Sequence, residues 1–263
     1  MTSPVRRYTS EIHDHFSYWA TWLPTSQIQL GDLGIVQDRI FSPQTSLAEL
    51  DVSFDATRGT EVLNLQHATN NGVRITFQSA AANQTIPQIP QGRAGVEVTF
   101  AKTGGVVFVV KDGRERRIRN LDAIAQKLLE LIQRGYVDRE YALVTHVVQA
   151  AAATILISSS SNAKFVTSAD MDLNAGLLDL ANANLTFSRI SSKDLQTELV
   201  ANQGATPLFK LAGFKKAGLF WGSPKVAPLG FDADDDPGEL DELGPIETDP
   251  DLADGDAEVE IDG

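Results

Sequence analysis

Chemistry near neutral pH would fall first to histidine, and the 263 residues hold four, His13, His15, His67 and His146. His13, Asp14 and His15 are metal-ligand types, but residues two apart on a helix point to nearly opposite sides, so the trio does not close on one ion. His67 and His146 fall in extended segments with no Asp or Ser spaced to build a relay. Asp32 and Glu61 supply acids, yet nothing in their spacing brings them to a base. Cysteine is absent, which excludes disulfides, thiolate metal sites and thiol nucleophiles. A Gly-x-Ser-x-Gly elbow, a Walker loop, a His-Glu-x-x-His helix and a dinucleotide glycine fingerprint are all missing, and Gly31-Asp32-Leu33-Gly34 reads as a turn. In the run Asp232, Asp234, Asp236 the following glycine, Gly238, comes one place late for a calcium loop, and no glutamate stands at the twelfth position. The sequence therefore predicts a non-enzymatic protein with no catalytic residue, no metal and no cofactor.

Charge is the stronger signal. The formal net charge is −13, but Phe231 to Gly263 holds 15 Asp or Glu and no Lys or Arg, leaving 22 basic against 20 acidic residues before it. Mutual repulsion with few apolar residues predicts a disordered acidic tail, residues 230–263, behind a folded body, residues 1–229. No apolar stretch follows Arg6 and Arg7, because His13, Asp14 and His15 interrupt it, so no signal peptide is read. No run approaches the roughly 20 apolar residues of a spanning helix. The expectation is a soluble, cytoplasmic chain.

The elements that must position any site read as follows. Ile12, Phe16 and Trp19 recur at helical spacing and predict a short amphipathic helix over Glu11 to Leu23, ending before Pro24. Gln27 to Leu30, Gly34 to Phe41 and Val52 to Phe54 read as strands. Val62 to His67 and Val73 to Phe77 around Asn71-Gly72 predict one hairpin, and Val96 to Phe100 with Val106 to Val110 a second. Ala80 to Gln91, with two prolines, reads as a loop. Leu121, Ile124, Leu128, Leu131 and Ile132 form one stripe, so a long amphipathic helix is expected over Leu121 to Arg134, with Asn120 as N-cap and Gly135 as its stop. Tyr141 to Ile157 and Lys164 to Met171 read as two strands joined at Ser158 to Ala163. Leu185 to Ile190 reads as another strand, Ser192 to Val200 as a short helix, and Pro207 to Trp221 as the last ordered stretch. The predicted class is α+β, mostly antiparallel hairpins with one long amphipathic helix and a short N-terminal helix.

Three sets of residues suit a surface partner. Phe16, Trp19 and Trp22 are aromatic types that favour a lipid interface, with packing on the body as the plainer reading. Lys111, Arg114, Arg116, Arg117 and Arg119 gather in a predicted loop before the long helix and suit an anionic surface. Nucleic acid is not favoured, because no aromatic residue interleaves with these bases. Ala142 to Met171 is rich in alanine and serine; Val144, Val148, Ile155, Ile157 and Phe165 are its large apolar positions. They read either as the centre of a sandwich or as membrane-spanning strands of loose alternation.

In the order of these parts the chain resembles the gasdermin family of pore-forming proteins. The resemblance rests on a leading helix with aromatics, twisted hairpins, the helix at Leu121 to Arg134, and Tyr141-Ala142-Leu143-Val144-Thr145-His146-Val147-Val148 opening a long hairpin. It spans Ile12 to Phe214 and carries no specific motif. It implies a soluble, autoinhibited protein that, once released, binds acidic lipid and self-associates into an oligomeric membrane barrel, with the acidic tail covering the basic segment. The tail lacks the apolar content of a docked inhibitory segment, and without cysteine there is no N-terminal lipidation site. The alternative expectation is a protein-interaction module whose acidic tail solubilises or regulates it.

Overall fold

Segments rich in β-branched and aromatic residues, alternating with polar ones in places and continuous over residues 106–110, form strands in the computed structural model. The structure describes residues 3–23, 26–81, 85–170, 173, 176–182, 187–202, 204–214 and 226–228. All of these belong to one unit, Met1–Asp232. The segment 230–263, expected to be a disordered tail, lies outside them, as does Trp221. In chain order the elements are α1 (Pro4–Phe16), β1 (Trp19–Ala20), β2 (Asp32–Gln37), β3 (Ile40–Ser46), β4 (Ala56–Arg58), β5 (Leu63–Ala68), β6 (Val73–Gln78), β7 (Ala94–Phe100) and β8 (Val106–Ile118). They continue with α2 (Leu121–Gln133), β9 (Ala142–Gln149), β10 (Ala152–Ser158), β11 (Lys164–Ala169), a 3-10 turn at Leu177–Ala181, β12 (Phe187–Lys193), β13 (Leu195–Asn202), β14 (Leu208–Phe214) and β15 (Val226–Pro228).

Two antiparallel sheets result. The smaller has the order β12-β11-β7-β6. The larger is built on β8, whose first half pairs with β5 and β10 and whose second half pairs with β4 and β9. The partners change around Gly113, where a Cβ would lie 3.0 Å from Val110 Cγ1 and 3.2 Å from the Leu63 carbonyl oxygen. β13 extends the β10 side; β14 and then β1 extend the β9 side, and β2 with β3 joins the end of β9.

Alternation along β8 divides the core. Val107 and Val109 face the smaller sheet and pack with Val96, Val98, Phe100 and Phe165. Val106, Phe108 and Val110 face the other way, where Tyr8 and Ile12 of α1 cover them together with Ile155 and Ile157 of β10. A helix, a large sheet and a small sheet are thus layered in that order. α2 closes a separate cluster, its Ile124 and Leu128 packing with Leu33, Ile118, Leu143 and Phe214. The outer face of the small sheet is capped by Ile86 and Ile89 on Val166, in a loop held by the buried Gln78 amide, which accepts from the Thr85 and Ile86 N–H groups and donates to the Arg93 carbonyl.

Several expectations are corrected. Strand accounts for 46% of the structure against 16% helix, so the class is mostly antiparallel β and not α+β; each α-helix is a single 13-residue element laid on a sheet. The first helix runs over Pro4–Phe16 and not Glu11 to Leu23. Ser3 caps its start by accepting from the Arg6 N–H at 3.2 Å, and Ser17 ends it in the left-handed region at φ 58°. Trp19 belongs instead to an edge strand. Ser192 to Val200 is not helical: β12 and β13 run through it and turn at Asp194, φ 53°. The two predicted hairpins do not pair internally, because β5 joins β8, β6 joins β7, and β7 lies in the smaller sheet. Tyr141 to Ile157 is two strands with a corner at Ala150 and Ala151, and β10 and β11 lie in different sheets. The basic run Lys111 to Arg119 is not a loop, since β8 continues through Ile118.

Candidate anion-binding row and helix lock

Antiparallel register assembles a row that no sequence window contains. Thr57 of β4 stands opposite Arg117 of β8, Arg117 opposite His146 of β9, and His146 opposite Lys210 of β14. Trp19 pairs with Phe209, which carries the row one strand further to Tyr18, immediately before β1. Directly opposed side chains in such ladders lie about 5 Å apart and share a face. The Lys210 ammonium sits 4.6 Å from the centre of the Tyr18 ring, and the Tyr18 hydroxyl donates to Glu115 Oε2.

Glu115 borders the row, bonded to Tyr18, but it does not ion-pair with either cation. Among the described residues neither Arg117 nor Lys210 has a carboxylate within ion-pair distance. Burial pushes the His146 imidazole below its ordinary value; Glu115 opposes this, and Lys210 and Arg117 reinforce it. His146 is therefore neutral at pH 7 and sits between two fixed cations, with Nδ1 at 2.9 Å from Thr145 Oγ1. Burial, then the hydrogen bond to Glu115 and the charges of Glu115 and Glu61, hold the Tyr18 phenol protonated. Two cations that flank His146, two strands apart on one face, suit an anionic surface that spans both rather than a single small anion.

A second polar cluster locks α1 to the sandwich. Glu11 Oε1 accepts from Arg7 Nε at 2.8 Å; Glu11 Oε2 accepts from Thr69 Oγ1 at 2.6 Å and lies 3.1 Å from His67 Nε2. Thr69 Oγ1 in turn accepts from the Val106 N–H at 2.9 Å, and Arg7 donates to the Thr103 carbonyl at 3.2 Å. Burial alone would raise the Glu11 carboxyl, but the hydrogen bonds from His67, Thr69 and Arg7 and the charge of Arg7 outweigh it and hold the pKa at about 2. The His15 and His67 rings stand 5.0 Å apart between centroids.

The predicted site residues are dispersed. Of the arginines, alternation along β8 puts Arg117 on the face of the row and Arg114 and Arg116 on the other; Arg119 follows the strand, its N–H bonded to the Asp55 carbonyl. Trp19 is buried with Phe41 and Phe209, Phe16 packs on Phe108, and Trp22 on Tyr8. Val144, Val148, Ile155, Ile157 and Phe165 are buried in three different clusters, as sandwich centres and not as one face. His13 and His15 join no metal-ligand group, and among the described residues no cluster of three such ligands exists. Sequence reading missed Lys210, Tyr18 and Thr57, since only the pairing of β9 with β14, of β14 with β1 and of β4 with β8 brings them beside Arg117 and His146. No helix among the described residues is long and apolar enough to cross a membrane. No family model matches the chain, and no curated protein is significantly similar to it.

Proposed function

We propose that this protein is a non-enzymatic effector that engages anionic membrane surfaces from the cytoplasm. The observation that carries this reading is the row Lys210–His146–Arg117, two cations without carboxylate partners among the described residues, ordered by strand register on one sheet face. Phosphate headgroups spaced along a bilayer meet such a row without base or sequence readout, and each basic side chain near the surface contributes about 1 kcal/mol. Gasdermin-like self-association and pore formation would follow as a second step, in which strands β9 and β10 leave the core. That step must overcome the burial of Val148, Ile155 and Ile157, each 0% exposed. Phe16, Trp19 and Trp22 would have to turn out of their clusters to touch lipid.

The test is co-sedimentation of the full chain with vesicles of phosphatidylcholine alone or with phosphatidylserine, in parallel with Arg117→Glu/Lys210→Glu. Binding confined to anionic vesicles and weakened at least tenfold in the double variant is the expected result. Equal binding by the variant, or none by the folded parent, overturns the reading; in the second case capture of a stoichiometric acidic protein partner would transfer the row to an interaction module. Dye release by a chain ending at Leu229 tests the pore step.

A further inference from the structure

The opposite side of β8 and β9 carries a second, chemically different feature. A cavity of about 710 Å³ opens between the segment before β2, the β3 end of the β2–β3 hairpin, and strands β8 and β9. Its size falls in the roughly 300–1,000 Å³ range of small-ligand sites. Carboxamides dominate the polar lining: Gln27, Gln29, Gln44 and Gln149, with Arg116 the cation and Asp32 and Glu49 the carboxylates. Phe54, partly exposed, supplies the apolar surface, while Ile28 and Val147 beneath it are core side chains.

The carboxylates are already oriented, and each keeps a free oxygen. Asp32 Oδ2 accepts from the Gln29 N–H at 2.8 Å, and Glu49 Oε2 accepts from Thr45 Oγ1 at 2.9 Å and the Ser46 N–H at 3.1 Å. Among the described residues Asp32 Oδ1, Glu49 Oε1, the Gln27, Gln29 and Gln149 amides and the Arg116 guanidinium have no hydrogen-bond partner. Asp32 is held above the ordinary carboxylate value by burial, against its bond to the Gln29 N–H and with the charge of Glu49.

This pattern selects a ligand class. An anion would meet two carboxylates for one guanidinium, and an apolar ligand would strand the amides. A hydroxyl both donates and accepts, as a carboxamide does, so a polyol satisfies amide, carboxylate and guanidinium positions together. A pyranose also offers a C–H face to Phe54. We infer that this cavity is a binding site for a neutral carbohydrate of one to three rings. The inference is independent of the anionic-surface reading, since Arg117, His146 and Lys210 lie on the other face.

The experiment probes the full chain against immobilised neutral glycans, including maltotriose, cellotriose and chitotriose, beside sulfated and sialylated ones, and then titrates the retained neutral trisaccharide calorimetrically. Saturable binding is expected, weakened at least tenfold by Gln149→Ala and by Gln44→Ala and unchanged by Arg117→Glu. Gln44 and Gln149 are exposed, so these variants leave the core intact, which circular dichroism checks. No retention of any neutral glycan, retention only of sulfated or sialylated ones, or binding unmoved by both glutamine variants overturns the assignment.

Discussion

Glu11 is the residue on which the docking of α1 turns, because one carboxylate joins Arg7 on its own helix to His67 and Thr69 on the sheet side. Its pKa is about 2 in the fold against an ordinary 4.5. A depressed carboxyl contributes stability that is complete above its unfolded value and is lost as pH falls from about 4.5 toward about 2. Glu11→Gln is expected to lower stability by about 1–2 kcal/mol at pH 7, and to flatten the pH dependence in that window, when urea midpoints are compared at pH 7 and pH 3. Tyr8 shows the opposite balance. Its hydroxyl is fully buried beneath α1 with no hydrogen-bond partner among the described residues, and burial drives its ionisation far upward. Removing an unpaired hydroxyl from an apolar cluster recovers a desolvation penalty, so Tyr8→Phe is expected to raise stability by about 1 kcal/mol in the same unfolding assay.

At the scale of elements, β8 organises the larger sheet, and the β2–β3 hairpin shows how tightly its edges are set. β2 carries Gly34 opposite Pro43, beside a register shift, and a Cβ there would overlap the Ser42 carbonyl. The obstacle is backbone, which cannot swing aside as a side chain can. Gly34→Ala is therefore expected to cost about 2 kcal/mol or more and to fray β2 and β3, measured as a lower melting midpoint with loss of amide protection across residues 32–46. Helix α2 illustrates a subtler point. Its Asn120 occupies the N-cap position, but the side chain makes no bond to the helix and instead accepts from the Asp55 N–H at 2.9 Å, tying α2 to the segment before β4.

For the whole molecule, the relevant quantity is the distribution of charge, since the 22 basic residues all precede the last 33 positions, where 15 acidic ones lie. If the Arg117 row engages anionic lipid as proposed, the attraction is between exposed charges and hence sensitive to screening. Vesicle binding by the full chain is expected to fall at least tenfold when ionic strength rises from about 0.05 M to about 0.5 M, where the screening length shrinks from over 10 Å to a few ångströms. Insensitivity to salt in co-sedimentation would point to apolar insertion instead.

Local patterns in the sequence determined where the chain extends and where it coils. The 3.6-residue stripe of residues 121–134 marks α2 because one face of that helix is buried, and the alternation of Val96, Val98 and Phe100 marks β7 for the same reason in a strand. Absent cysteine and the segregated acidic residues are likewise properties of composition. Pairing was decided only in three dimensions. Asn71-Gly72 and Thr103 to Gly105 are good turn sequences, but a turn specifies a change of direction and not which strand waits beyond it, so both became crossings between sheets. Fusing the two sheets onto one core buried more apolar surface than two isolated hairpins would. The Tyr18, Lys210, His146, Arg117 and Thr57 row and the carboxamide-lined cavity share that origin. The row's members come from distant segments that strand register placed side by side, and the cavity forms where the local stretch from Gln27 to Phe54 meets Arg116 of β8 and Gln149 of β9.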